Sequence, residues 1–192
     1  RAQPRDDTGN DVEHRRDVGV GRALAEREPH ARVRDLGPEP ERHTFDAVVS
    51  ERDLRETYLP HFEMGIRDGK AYSLMCAYNR VDGKAACGSD LLLQNILRGE
   101  WKFPGYIVSD CGAIDDMYLR HKVVDTAPEA AALGVRTGTD LDCGRVYPNL
   151  VEAVKQGLIP ESQIDTSVSR LFLALPFAQS ARTGFQQFHT CG

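Results

Sequence analysis

The sequence predicts an α/β fold built from parallel βα units, and three observations lead to this prediction. Short apolar runs, AYSLMCAY at 71–78 and GYIV at 105–108, have the length and composition of buried strands. Segments with helical periodicity follow them along the chain. Turn residues such as Asp82-Gly83 separate the two kinds of segment. Short apolar strands that alternate with helices are typical of a parallel sheet.

The N-terminal stretch differs in composition from the rest of the chain. Residues 1–44 contain no Phe, Tyr, Trp, Ile or Lys, while Arg, Asp and Glu are crowded together. A segment with so little to bury is expected to be disordered, apart from a short helix at 19–28. An Arg-rich binding arm is the alternative, but acidic residues balance the arginines. We therefore expect residues 1–36 to be a disordered or non-homologous leader.

The first helix is predicted from Ser50-Glu51-Arg52-Asp53, which resembles a capping box, to about residue 68. Pro60 predicts a kink inside it. Apolar residues recur at every fourth position and predict its buried stripe: Leu54, Tyr58, Phe62 and Ile66.

The same order of elements continues along the chain. Ser89 begins a second predicted helix, the strand 105–110 follows, and later segments are predicted as a helix at 127–135, a strand at 137–142 and a helix at 147–156. A last helix at 162–174 is predicted to turn Ile164, Val168, Leu171 and Phe172 inward. Residues 175–192 lose this periodicity and are predicted to form an irregular tail.

Polar residues end three of the predicted strands: Tyr78-Asn79-Arg80, Ser109-Asp110 and Asp140-Leu141-Asp142. In barrels of βα units the active site forms where the strands end. Asp110 would then carry chemistry at the rim. The alternative is that Asp110 caps the next turn, and the pattern alone leaves both interpretations open. Asp115 and Asp116 are predicted to begin a helix, and Asp140 and Asp142 to accept backbone hydrogen bonds that support the rim.

Two longer stretches resemble glycoside hydrolase family 3. They are SLMCAYNRVDGKAACGSDLLLQNILRGEWKFPGYIVSDCGAI, and GTDLDCG followed by LVEAVKQGLIPESQIDTSVSRLFLA. The resemblance covers residues 37–174 and implies the C-terminal part of the family's N-terminal barrel domain. The expected fold is a partial TIM-type (β/α)8 barrel, about the last three βα units, with irregular tails at both ends.

The resemblance also implies a site. Asp110 occupies the position of the family's catalytic nucleophile, and Tyr78 of the MCAYN motif would lie beside it. GPEPER resembles a loop near the substrate, which suggests Glu39 and Arg42 as substrate-binding residues. Arg80 is a further candidate for keeping Asp110 ionised, or else a surface residue. No metal and no cofactor are expected, because retaining glycosidases need only two carboxyl groups and water.

The subgroup is indicated by Cys111 after Asp110 and by the motif DLDCG. Both resemble the β-xylosidase and α-L-arabinofuranosidase branch more than the β-glucosidase branch. The implied substrates are β-linked xylo- or gluco-oligosaccharides or aryl glycosides. A disulfide between Cys111 and Cys143 is conceivable, but two small buried thiols are the expectation. The N-acetylglucosaminidase branch ranks low, because its His-Asp loop motif is not visible. His121, in a loop, is expected to be exposed.

The sequence also departs from the family. Where a Lys-His strand is expected, the chain reads EPHARVRDL, and a complete barrel takes about 250 residues. We therefore expect an incomplete fragment that associates through exposed barrel edges. The alternative function is a non-catalytic carbohydrate-binding remnant, or a subunit that pairs with a complementary chain.

Charge and hydropathy exclude some partners. The net charge of −5 argues against nucleic acid, and no apolar run reaches the roughly 18 residues of a membrane helix. Family members are often periplasmic or secreted, but the N-terminus shows no apolar signal-peptide core, so the compartment is left open.

Overall fold

The computed structural model describes residues 39–187, with side chains described for 41–174. The predicted leader at 1–36 lies outside the described residues. Five short strands are present: β1 Asp46–Ala47, β2 Ser73–Cys76, β3 Arg80–Val81, β4 Lys84–Ala85 and β5 Tyr106–Ser109. Six α-helices are described: α1 Glu51–Asp53, α2 Pro60–Arg67, α3 Ala113–Leu119, α4 Ala127–Thr137, α5 Leu150–Lys155 and α6 Glu161–Gln187.

Two parallel strands at the centre of the fold confirm the predicted βα arrangement. β2 pairs with β5 in the register Ser73↔Tyr106 to Cys76↔Ser109. Gly105 permits the start of this pairing, because a Cβ at this position would lie 2.1 Å from the Tyr72 carbonyl oxygen. The third predicted strand, at 137–142, is reduced to a single parallel bridge between Val108 and Leu141.

A second small sheet was not predicted. β1 runs parallel to β3, and β3 forms an antiparallel hairpin with β4. Gly83, at a φ of 79°, makes the tight turn of the hairpin. The hairpin places Arg80 within a strand, and the chain reverses direction directly after it.

The first predicted helix is present but changes its winding. α1 passes into a π-helical turn, Leu54–Tyr58, before α2 begins at Pro60. The Ser50 side chain accepts a hydrogen bond from the Asp53 amide at 3.1 Å, as the capping motif predicts. Pro60 is the first residue of α2, where its missing N–H costs nothing. The stripe of Leu54, Tyr58, Phe62 and Ile66 is buried, as predicted.

The remaining helical segments follow the predicted order. Ser89 caps a π-helical segment at Asp90–Glu100 with its hydroxyl, which accepts from the Leu92 amide. Short 3₁₀ helices lie at Glu39–His43, Ala86–Gly88 and Tyr147–Asn149. Together the helices cover a core in which Ile107, Ile114 and Met117 are fully buried. Burying a side chain of this size contributes about 1.5–3 kcal/mol to the free energy of unfolding.

The last helix differs from its prediction in two ways. It continues to Gln187, so the predicted irregular tail is wrong as far as that residue, and 188–192 lie outside the described residues. Good helix formers (Leu, Ala and Gln) carry it past the end of the periodic pattern. Val168 and Phe172 are also exposed, at 41% and 66% of their surface, rather than buried. The inward face instead contains Ser167 and Arg170.

Asp140 determines which face of α6 turns inward. Its Oδ2 accepts hydrogen bonds from Arg98 Nη2 at 2.7 Å and from the Ile107 amide at 3.0 Å. Its Oδ1 accepts from Arg170 Nη1 at 2.9 Å, which turns that side of α6 toward the bridge. Asp142 likewise accepts from the Val146 amide at 2.9 Å, so the predicted backbone-supporting role of both aspartates is confirmed. No helix among the described residues is long and apolar enough to cross a membrane.

Candidate active site

Asp110 lies directly after β5, at the carboxyl end of the central strand pair. Its amide donates to the Cys76 carbonyl at the end of β2 at 2.9 Å, and its Oδ1 accepts from the Cys111 amide at 2.7 Å. The cap of α3 is Gly112, with a φ of 86° and no side-chain hydrogen bond. The Asp110 carboxylate therefore does not cap the next helix. It is half-buried at the rim of the sheet.

Tyr78 lies beside Asp110. Its hydroxyl donates to the Cys111 carbonyl at 2.7 Å. Burial raises the pKa of Tyr78, and the negative charge of Asp110, which also competes for the hydroxyl proton, raises this pKa further. The phenol therefore stays protonated at neutral pH. Its single hydroxyl proton is within reach of both the Cys111 carbonyl and the Asp110 carboxylate.

The 3₁₀ helix Glu39–His43 brings Arg42 to the same place. The Arg42 guanidinium carbon lies 4.7 Å from the centre of the Tyr78 ring, a cation–π distance. Glu39 begins this 3₁₀ helix, but its side chain lies outside the described part of the chain. The structure thus brings Asp110, Tyr78 and Arg42 together.

Arg80 has other partners. Its Nη2 donates to the Thr44 carbonyl at 3.4 Å, and its Nε lies 3.9 Å from the Asp46 carboxylate. Both partners adjoin or belong to β1, with which β3 pairs. Among the described contacts Arg80 is joined to this small sheet rather than to Asp110.

Three residues at the rim were missed or misjudged from the sequence. His43 contacts the Tyr78 ring edge-on at 4.3 Å between ring centres. Asp116 does lie in the first turn of α3, as predicted, but it is buried and its Oδ2 lies 2.5 Å from His43 Nδ1. His121 was expected to be exposed, and this is wrong: only 6% of its surface is accessible, and its Nε2 donates to the Tyr78 carbonyl at 2.7 Å. The signal for His43 was its position next to Arg42, while a contact between residues 73 positions apart has no local signal.

The cysteines also differ from expectation. Cys111 and Cys143 form a disulfide, so the expectation of two thiols is wrong. The bridge between Val108 and Leu141 brings the two chain segments together, and the Cα atoms lie 4.4 Å apart. Cys76 and Cys87 form a second disulfide, which the spacing did not suggest. Among the described residues no group of three or more His, Cys, Asp or Glu side chains is arranged to hold a metal ion.

The Cys111 backbone connects the site to its disulfide. Its amide donates to Asp110 and its carbonyl accepts from Tyr78. On the other side, the Cys143 amide donates to Ser109 Oγ at 2.9 Å, and the Cys143 carbonyl accepts from the Gly112 amide at 2.7 Å. The chain on both sides of Asp110 is therefore fixed by hydrogen bonds and by one covalent link.

Comparison with known proteins identifies the family of this chain. Residues 40–174 match the model of the glycosyl hydrolase family 3 N-terminal domain. A probable exo-1,4-β-xylosidase of Aspergillus clavatus is 47% identical over 138 residues, which is 70% of this chain and 18% of that protein. A xylan 1,4-β-xylosidase of Xylanibacter ruminicola is 46% identical over 138 residues, 70% of this chain and 16% of that protein. The chain thus spans less than a fifth of the length of these relatives.

Solved structures of the family have a similar fold. An exo-β-xylosidase in complex with a xylobiose aziridine activity-based probe superposes with a TM-score of 0.67 at 34% identity, over 68% of this chain and 17% of that one. A β-glucosidase involved in saponin metabolism from intestinal bacteria gives 0.66 at 34% identity, over 73% and 18%. These neighbours and the match over most of the chain lead to one conclusion: the chain belongs to glycosyl hydrolase family 3.

Proposed function

We propose that this chain is the nucleophile-bearing part of a retaining, exo-acting β-glycosidase, with Asp110 as the nucleophile. The observation that carries the proposal is the place of Asp110 at the end of a central parallel strand, beside the protonated Tyr78 phenol. Active sites of βα barrels form at this end of the strands. We also propose that the family domain extends over 37–174, with 1–36 a non-homologous leader; α6 continues past the end of this domain to Gln187.

The chemistry would follow the double-displacement course. The Asp110 carboxylate attacks the anomeric carbon while the bond to the leaving oxygen breaks, and a second carboxylic acid gives that oxygen its proton. Water then attacks the glycosyl-enzyme, gives its proton to the carboxylate that the acid has become, and releases Asp110 as a carboxylate. We assign no residue of this chain to the acid.

The other proposed residues would bind and orient. The Tyr78 hydroxyl, as a donor close to Asp110, would hold the carboxylate in position and stabilise its charge. Arg42, stacked on the Tyr78 ring, would donate hydrogen bonds to sugar hydroxyls. We include Glu39 for its position in the same 3₁₀ helix and keep Arg80 as the weakest candidate.

The names of the relatives support a proposal for the substrate class. Both relatives described above are named as β-xylosidases, one solved neighbour carries a xylobiose probe, and another is a β-glucosidase. We propose β-linked xylo-oligosaccharides or aryl β-xylosides as substrates, with β-glucosides second.

The second candidate function is a non-catalytic remnant, or a subunit that associates with a complementary chain through its strand edges. It is favoured by the free edge of β2, which among the described residues pairs only with β5.

A trapping experiment tests the first candidate. The purified chain is incubated with a 2-fluoro-xyloside or a 2-fluoro-glucoside, and the adduct is located by peptide mass spectrometry. We expect one sugar on the peptide that contains Asp110, and none in Asp110→Asn, because an amide is too weak a nucleophile to form the ester.

Asp165→Asn is the matched control, since it makes the same change in charge at an exposed site on α6. It should be labelled like the original chain. Label on another carboxylate would remove Asp110 from its role. A folded chain that takes no label from either sugar would favour the non-catalytic candidate.

A further inference from the structure

A continuous chain of contacts runs from the interior of α3 to the rim of the candidate site. Asp116 Oδ2 lies 2.5 Å from His43 Nδ1, and His43 Nε2 accepts from Arg42 Nε at 3.2 Å. Arg42 in turn lies over the Tyr78 ring. These contacts join residues that lie up to 73 positions apart in the chain.

Only one protonation state of His43 satisfies the whole chain of contacts. An arginine Nε–H can only donate, so His43 Nε2 must present its lone pair. A neutral imidazole with an acceptor at Nε2 carries its proton on Nδ1, where it can donate to a carboxylate. Asp116 is that carboxylate, and it therefore selects the Nδ1–H tautomer of His43.

Asp116 is well suited to hold this tautomer. Its side chain is only 2% exposed and that of His43 20%, so water does not readily replace His43 as the partner of Oδ2. Its second oxygen accepts from Arg120 Nη1 at 2.6 Å, one turn further along α3. The Arg120 side chain is 48% exposed, so water can take its place on Oδ1. The contact of Oδ2 with His43 therefore holds the imidazole, which is also in edge-on contact with Tyr78.

We propose that Asp116 and His43 are positioning residues that hold the Arg42 guanidinium over Tyr78, and so orient the sugar-binding side of the site. The proposal rests on the proposed function, because Arg42 and Tyr78 are substrate-binding residues only within it. A purely structural role is the competing explanation, in which Asp116 merely joins α3 to the 3₁₀ helix. The two explanations differ in what they require of the His43 tautomer.

The first test reads the tautomer directly. A two-bond ¹H–¹⁵N NMR spectrum of the full chain, labelled with ¹⁵N-histidine, reports the protonation of each imidazole, and His43→Gln identifies the His43 signals. We expect the Nδ1–H tautomer at neutral pH. In Asp116→Asn the amide can donate to Nδ1, so the Nε2–H tautomer should appear. An Nε2–H or doubly protonated His43 in the original chain, or an unchanged tautomer in Asp116→Asn, would overturn the proposal.

The second test measures the consequence at the site. The rate at which a 2-fluoro-xyloside labels Asp110 is followed over a range of probe concentrations. A hydrogen bond to a charged group corresponds to about tenfold in binding, so Asp116→Asn should raise the half-saturating concentration by about tenfold. The maximal labelling rate should change much less, since Asp110 itself is intact. Asp165→Asn should match the original chain.

Arg120→Ala separates positioning from structure. It removes one partner of Asp116 and leaves the contact with His43 in place. We expect the His43 tautomer and the half-saturating concentration to be kept. If Arg120→Ala weakens probe binding as much as Asp116→Asn does while the tautomer is unchanged, the role is structural and the proposal fails.

The two tests also separate this proposal from the proposed function. If the original chain is not labelled at all, the proposed function fails for this chain, and the tautomer spectrum alone decides whether Asp116 controls His43. If the chain is labelled but His43 has the wrong tautomer, the proposed function stands and the positioning proposal falls.

Discussion

His121 is a loop residue that the fold has placed in the interior. Its Nε2 donates to the Tyr78 carbonyl, while its Nδ1 is buried without a hydrogen-bond partner among the described residues. Burial lowers the pKa of this imidazole; the hydrogen bond to Tyr78 and the Asp116 charge only partly oppose that effect. His121 is therefore neutral in the folded chain at neutral pH.

This burial predicts a loss of stability in mild acid. Below the ordinary histidine pKa of about 6.5, the unfolded chain binds a proton at His121 that the folded chain does not bind. The free energy of unfolding should therefore fall as the pH falls below about 6.5, until the lowered pKa of the folded state is reached. Urea unfolding at pH 7.5 and pH 5.5 measures this difference.

Two variants make the measurement specific to His121. In His121→Gln the amide can still donate to the Tyr78 carbonyl but does not titrate, so the difference between the two pH values should shrink. His61→Gln, which changes an exposed histidine on α2, should keep the full difference. An equal pH dependence in all three proteins would show that His121 is not responsible.

At the scale of elements, Asp140 joins three parts of the fold. The π-helical segment contributes Arg98, α6 contributes Arg170, and β5 contributes the Ile107 amide. The Asp140 side chain is fully buried. Its contacts hold the chain after α4 against β5 and position α6 beside it.

Removal of the Asp140 carboxylate should lower the free energy of unfolding. Asp140→Ala leaves two guanidinium groups partly buried without their partner, and breaking a buried ion pair costs roughly 3–5 kcal/mol. Chemical denaturation should show a loss of about that size. Glu56→Ala removes an exposed partner of Arg52 and should change stability by no more than about 0.5 kcal/mol. Equal effects of the two substitutions would mean that Asp140 does not anchor these elements.

The elements themselves were partly predictable from the sequence. The stripe of Leu54, Tyr58, Phe62 and Ile66 and the strands around 74 and 107 follow from local periodicity, and the structure confirms them. The inward face of α6 was not predictable, because Arg170 turns inward for a carboxylate 30 positions away. The strand at 137–142 shrank to one bridge, since the Asp140 side chain occupies the Ile107 amide that a strand neighbour would otherwise use.

At the scale of the whole molecule, two disulfides differ in their access to solvent. Cys76 and Cys87 are each 1% exposed, whereas Cys111 is exposed and Cys143 is half-buried. Thiol–disulfide exchange requires that a thiolate reach one of the sulfur atoms. The two bonds should therefore respond differently to reductant while the chain is folded.

Graded reduction should break the more exposed disulfide, Cys111–Cys143, first. When the folded chain is treated with increasing dithiothreitol and then alkylated, peptide mass spectrometry should find Cys111 and Cys143 modified before Cys76 and Cys87. In urea, where access becomes equal, the order should disappear. Simultaneous modification of all four cysteines in the folded chain would contradict the burial described for Cys76 and Cys87.

The candidate site was also only partly predictable. The motifs around Asp110, Tyr78 and Arg42 predicted three residues that the fold brings together. The motifs gave no sign of His43 and Asp116 as partners, or of Cys76 and Cys87 as a disulfide, because such pairs are chosen by the packing of whole elements. Arg80 was considered because it is near Tyr78 in sequence, but the hairpin directs it to β1.

The disulfide between Cys111 and Cys143 has one more consequence, for proteolysis. It spans 32 positions and encloses α3, α4 and the loop between them, in which Lys122, Asp125 and Thr126 are exposed. A protease that cut this loop would break the backbone between Asp110 and Asp142 without separating the two pieces. On a denaturing gel the nicked chain would migrate as one molecule until the disulfide is reduced. The strand ends around Asp110 would stay covalently joined across the cut.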